Sequence, residues 1–268
     1  MLRWGVYLLI AGGFAVVCAF LSQWQFDRNA SRTEQIALVE ANYDAEPLTL
    51  DELIGSDGVF HADDEWHPVT LHGEYLADQQ LLVRNRPHGG TSAFEVLVPF
   101  QTDEGRIFIV DRGWVPPGEG DAPDAVPAPP RGQVEVIIRL RSGESAAPGR
   151  SAPPGQVATI HLPTIADQIG GDVVTSAYGQ LVSEVPSAAA LGSFDSPTED
   201  PGPHLSYAIQ WILFALMGFV FIGYIIRTEI VKNREDREQA AVREEKQRTR
   251  SRERARDEDI EDTLLDAH

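Results

Sequence analysis

The sequence predicts an α+β membrane protein: two transmembrane helices flanking an extracytoplasmic, mainly antiparallel β domain, a sheet or partly closed barrel with short helices. Two apolar runs near the termini and an alternating pattern between them lead to this reading. Residues 4–21 read WGVYLLIAGGFAVVCAFL without a charge, and residues 205–226 read LSYAIQWILFALMGFVFIGYII with a single amide, Gln210. Between them, apolar residues recur with period two in several short segments, the signature of half-buried strands.

At ~1.5 Å per residue, each run just suffices for a hydrocarbon core of ~30 Å. Trp4 and Trp24 flank the first run as interfacial aromatics do. A cleaved signal peptide needs a charged leader, and Arg3 alone supplies one here, so an uncleaved anchor is expected. Basic residues set the orientation: Arg227, Lys232, Arg234 and Arg237 follow the second run, and no lysine lies between the runs. The expected layout is a cytoplasmic N-terminus (1–3), a span (4–21), an extracytoplasmic domain (22–203), a second span (204–226) and a charged cytoplasmic tail (227–268). Ala11, Ala15 and Ala19 on the first span, and Ala208, Ala215 and Gly218 on the second, form stripes of small residues that let helices approach closely.

The chain has 268 residues and a formal charge of −19, which argues against nucleic acid as a partner, because phosphate binding needs concentrated Lys and Arg. Cys18 is the only cysteine, so no intrachain disulfide can form.

In chain order, residues 25–39 continue the first span as a helix in water. Thr49-x-x-Glu52 matches a capping box for a short helix through Ile54. Strands are expected at 69–72, 81–83, 94–100, 106–115, 133–141, 157–161 and 178–185, with a helix over 163–169 stopped by Gly170-Gly171. The Pro/Gly-rich stretches 116–132, 142–155 and 195–203 are exposed loops.

Catalytic signatures are missing: there is no GxSxG, Walker A, HExxH or dinucleotide glycine motif, so no enzyme is expected. His61, His67 and His72 are spaced for neither a helix face nor a metal knuckle, His88 is expected in a turn, and no metal site is expected. His204 stands apart, one residue before the second apolar run. An imidazole there can serve as an axial ligand to haem iron, with Tyr207 and Trp211 on the same helix face at i+3 and i+7, or as part of an interfacial aromatic belt that sets helix depth.

Four blocks resemble the Surfeit locus protein 1 family of cytochrome c oxidase assembly factors. They are Trp24-Gln25-x-x-Arg28 after the first span, Val69 through Gly73-Glu74-Tyr75, a central core, and His204-Leu205-Ser206-Tyr207-Ala208-x-Gln210-Trp211. The core runs Arg84-Asn85-Arg86-Pro87, then Val96-Leu97-Val98-Pro99, then Val110-Asp111-Arg112-Gly113-Trp114-Val115-Pro116. Ser22 and Asp111 depart from the family's usual glycine and asparagine. The resemblance implies a non-enzymatic role in delivering haem A to subunit I of an aa-type oxidase, or a membrane scaffold that stabilises oxidase subunits without binding haem. It implies His204 as the haem-binding histidine, and subunit I, haem A synthase and the lipid bilayer as partners. With a span starting at residue 4, the expected home is a bacterial plasma membrane. Arg86 and Arg112 can pair with carboxylates or haem propionates; internal salt bridges bracing the sheet are the other reading. Gly73 and Gly113 are expected at bulges or close backbone approaches, Trp114 in the core and Trp24 at the interface.

Overall fold

The alternating segments pair into one eight-stranded sheet in the computed structural model, which describes residues 2–55, 58–120, 122–197 and 200–265. The chain divides into two units: residues 32–201, and the two terminal stretches 1–31 with 202–268.

In the central unit the strands are β1 (Leu48–Thr49), β2 (Pro68–Tyr75), β3 (Leu81–His88), β4 (Thr91–Thr102), β5 (Ile107–Val115), β6 (Gln133–Ser142), β7 (Gln156–Val157) and β8 (Ala177–Val185). They lie in the order β1-β2-β6-β8-β5-β4-β3-β7, and β2 pairs with β4 as well. That extra pairing joins β2, β6, β8, β5 and β4 into a ring. Gly73 makes the closure possible: with φ +155° it pairs with both Val134 and Thr102, and a Cβ there would strike the Gln101 carbonyl. Inside lie Val69, Leu71, Val96, Val98, Phe100, Phe108, Val110, Val136 and Ile138, all buried. A second buried layer of Leu81, Val83, Leu97 and Ile109 packs under α3 (Leu162–Ile169) through Leu162 and Ile165.

The pairings are mainly antiparallel, as expected, and two details differ. The sheet is mixed, with β8 parallel to β5, β1 to β2 and β7 to β3 over two residue pairs each. Parallel partners need long connections, and the chain between β5 and β8 supplies one. The strand expected over 157–161 shrinks to Gln156–Val157, because Ile160 instead exchanges bonds with Glu144: its N–H donates to the Glu144 carboxylate at 3.0 Å, and its carbonyl accepts the Glu144 N–H at 2.8 Å. The capping box forms as expected at α2 (Leu50–Leu53), where the Glu52 carboxylate accepts the Thr49 N–H at 2.8 Å.

Helix α1 runs unbroken over Leu2–Asn42, and α4 over His204–Leu265. Each contains a stretch long and apolar enough to cross a membrane. The end of α1 is fastened within the central unit, where the Asn42 amide donates to the carbonyls of Asp63 (2.7 Å) and Glu65 (2.9 Å). Just beyond it, the Arg139 guanidinium lies 3.6 Å over the Tyr43 ring.

Candidate functional site

The terminal unit places His204. On α1 the buried positions are Ala11, Cys18, Ser22 and Gln25; on α4, Ala208 is fully buried, with His204, Trp211, Ala215 and Gly218 half-buried. Spacings of three and four on both helices are those of a left-handed antiparallel pair meeting along a narrow seam. Small residues bring the backbones close: a Cβ at Gly218 would sit 3.1 Å from the Phe14 ring. The expected stripe on α1 is corrected by this pattern. Ala19 is exposed, and the seam passes through Cys18 and Ser22, because a seam of period 3.5 turns away from a strict four-residue stripe.

Hydrogen bonds cross the seam. The Ser22 hydroxyl donates to the Ala208 carbonyl at 3.0 Å, and one turn further along, His204 Nδ1 lies 2.9 Å from Gln25 Oε1. An amide oxygen only accepts, so in the neutral imidazole paired this way Nδ1 carries the proton and Nε2 the lone pair. No hydrogen bond engages Nε2 among the described residues. Its edge of the ring faces Gly202, where even a Cβ would come only to 3.9 Å from Nε2. The arrangement offers one neutral imidazole nitrogen as a metal ligand beside the exposed apolar surface of α4. Tyr207, expected on the same face, is exposed beside the seam, whereas Trp211 lies on it with its ring edge-on to Phe214 at 5.7 Å. Trp24 and Arg28 are exposed on either side of the buried Gln25.

The motif residues of the central unit form two ion-pair clusters on opposite faces of β5, as alternation dictates for Asp111 and Arg112. On the ring's inner face, Arg112 Nη2 lies 2.8 Å from Glu184 Oε1, and Tyr75 Oη donates to Glu184 Oε2 at 3.0 Å. The Arg112 side chain is 1% exposed and that of Glu184 8%. Burial, and then the Glu184 charge, raise the Tyr75 phenol far above its ordinary value, so it stays a donor.

On the other face, Arg86 Nε lies 2.6 Å from Glu95 Oε2 and its Nη1 lies 2.8 Å from Glu144 Oε1. Burial works against the Arg86 charge, but the two carboxylates outweigh it and hold the proton more firmly than usual. The preceding residues explain its aim. The register of β3 on β4 shifts between Val83 and Arg86, and Asn85 takes φ +60°. That is a bulge in which asparagine tolerates the left-handed conformation, and bulges re-aim side chains. Asp111 is fully buried beside this cluster. Its Oδ1 accepts the Gly113 N–H at 3.3 Å, while Oδ2 has no hydrogen-bond partner among the described residues. Burial, then the Glu95 charge, push its carboxyl well above the usual range.

Pro87 follows on β3 opposite Ser92. Gly113, at φ +131°, admits the close approach of residues 191–192, where a Cβ would meet the Gly192 carbonyl. Trp114 is half-buried rather than core, because its indole N–H must reach the Ser193 carbonyl, at 3.0 Å. Its ring stacks on His88, centroids 5.1 Å apart. His88 itself ends β3 and lies 3.1 Å from Glu95 instead of occupying a free turn.

Sequence reasoning missed Glu95, Glu144 and Glu184 as partners of the motif arginines. Glu95 carried a signal, a lone charge inside the apolar run AFEVLVPF, where a buried carboxylate demands a cation. Glu144 and Glu184 lie in polar surroundings and carried none.

A family model described as "SURF1 family" matches residues 13–216. The chain is 34% identical over 239 residues to an uncharacterized SURF1-like protein of Mycobacterium bovis, covering 87% of each, and equally to one of Mycobacterium tuberculosis. A shorter similarity, 29% over 111 residues, links 41% of the chain to 28% of the cytochrome oxidase assembly protein SHY1 of Saccharomyces cerevisiae. A match over most of the chain, together with relatives aligned nearly end to end, makes this protein a member of the SURF1 family.

Proposed function

We propose that this chain is a membrane-anchored assembly factor for an aa-type cytochrome c oxidase, helping haem A reach subunit I, with His204 as the haem contact. The observation that carries the reading is the His204 imidazole, fixed by Gln25 through Nδ1 with Nε2 uncommitted, where the apolar stretch of α4 begins. The residues present suit a haem: Nε2 is a neutral nitrogen donor, and apolar surface adjoins it in Leu205, Tyr207 and Ile209, each about half exposed. Bound haem would supply iron with an open coordination position. The chain's own part is to hold, orient and release the group, without bond chemistry. The assembly role draws support from family membership and from the yeast relative's name.

The membrane reading rests on Leu9, Phe20, Val220 and Phe221, which are 76%, 73%, 72% and 62% exposed. At about 25 cal/mol per Å², such continuous apolar surface is costly in water and at home in lipid. Both termini lie in the cytoplasm in this reading, with the central unit outside a bacterial plasma membrane.

The test is an optical spectrum. Wild-type protein purified from haem A-producing cells carries haem, and His204→Ala lowers its content at least tenfold. Full occupancy with an unchanged spectrum in the variant refutes the ligand role.

A scaffold that binds oxidase subunits without haem is a second reading, favoured by one observation: Arg86 and Arg112 are both committed to carboxylates of their own unit, leaving neither for a propionate. In that case His204→Ala leaves co-purification with subunit I and oxidase levels intact.

A further inference from the structure

The bond between Gln25 and His204 joins residues 179 positions apart. It does something the Ser22–Ala208 bond cannot: it chooses a tautomer. Free neutral imidazole divides its proton between the two nitrogens. With Gln25 Oε1 at 2.9 Å from Nδ1, the proton stays there and Nε2 presents a lone pair. Gln25 is itself buried, at 9% exposure, and forms part of the α1–α4 seam, so the acceptor does not wander. At the opposite edge of the ring, even a Cβ on Gly202 would come only to ordinary contact distance, 3.9 Å, from Nε2.

We propose that Gln25 is a positioning residue for His204: it holds the imidazole in the tautomer and orientation that offer Nε2 to an iron porphyrin, and it raises the basicity of that nitrogen. This rests on the haem reading above. A hydrogen-bond acceptor on the far nitrogen of a ligating histidine is how proteins ordinarily tune such a ligand, and its loss typically weakens metal affinity about 10- to 100-fold.

The experiment uses the full chain in detergent, with haemin as the probe and ¹⁵N-histidine labelling as a readout independent of haem. In the haem-free wild type, the His204 nitrogen shifts are those of the Nδ1–H form. Gln25→Leu moves them toward the Nε2–H form and weakens haemin binding about 10- to 100-fold. Gln25→Glu keeps an acceptor, retains the Nδ1–H form and binding, and lowers the midpoint potential of the bound iron. Ser22→Ala removes the neighbouring interhelical bond and leaves tautomer and affinity unchanged.

Unchanged shifts and affinity in Gln25→Leu, alongside lost binding in His204→Ala, overturn the positioning role and leave the ligand role standing. Equal weakening by Ser22→Ala and Gln25→Leu also overturns it, because helix pairing alone then accounts for the effect. Undiminished haemin binding in His204→Ala overturns the ligand reading and this inference with it.

Discussion

At the scale of single residues, the central unit is organised by charges that the sheet has buried. Asp111 is the least comfortable of them, fully enclosed with one oxygen unpaired among the described residues and Glu95 nearby. Its carboxyl holds a proton more tightly folded than unfolded, so the sign of the linkage is fixed. Its contribution to stability is fully present below the unfolded value of about 4 and is lost as pH rises through the raised folded value. Asp111→Asn removes the dependence. Tryptophan-fluorescence melts should show the variant more stable than the wild type at pH 8, with the difference closing toward pH 4. The Arg112–Glu184 pair makes the contrary case. Breaking it with Glu184→Gln leaves a buried guanidinium without its counter-charge and should cost about 3–5 kcal/mol, read as faster hydrogen exchange across β5 and β8 in the full-length chain. The double variant Arg112→Met/Glu184→Leu should recover most of that loss.

At the scale of elements, local pattern and long-range pairing had different legibility. The strands could be read because alternation is a local property: Val134, Val136, Ile138 and Leu140 all turn inward as their spacing requires. The capping box at Thr49 and the glycine stop after α3 could be read for the same reason. The parallel alignment of β8 on β5 could not, since nothing in either strand's pattern encodes the direction of a partner some 70 residues away. The site divides in the same way. His204 was marked by its place at the head of an apolar run, but its partner Gln25 is brought to it only by helix pairing. Glycine 73 joins the two levels, because a local freedom of the backbone permits a distant closure. Gly73→Ala should push β2 off Gln101 and destabilise the unit by about 3 kcal/mol. The checking measurement is amide exchange at residues 100–102, which should lose protection more than β6 does.

At the scale of the whole molecule, the proposed topology makes one prediction that no detail of the site can rescue. Protease added to intact spheroplasts should cleave within the 116–132 loop, while an epitope placed after Arg227 survives until the cells are lysed. Survival of the loop with loss of the tail epitope would reverse the orientation. The sheet also constrains how the central unit meets other proteins. Its two outermost strands, β1 and β7, are only two residues long, and where β7 ends, β3 runs on into Pro87, which has no N–H to give. Such blunted margins offer almost no main-chain template to an incoming polypeptide. A partner protein is therefore not expected to add a strand at the β1 or β7 margin. Recognition through side chains is the expectation there, so point substitutions on the surface, rather than backbone blockers at those margins, should map a docking face.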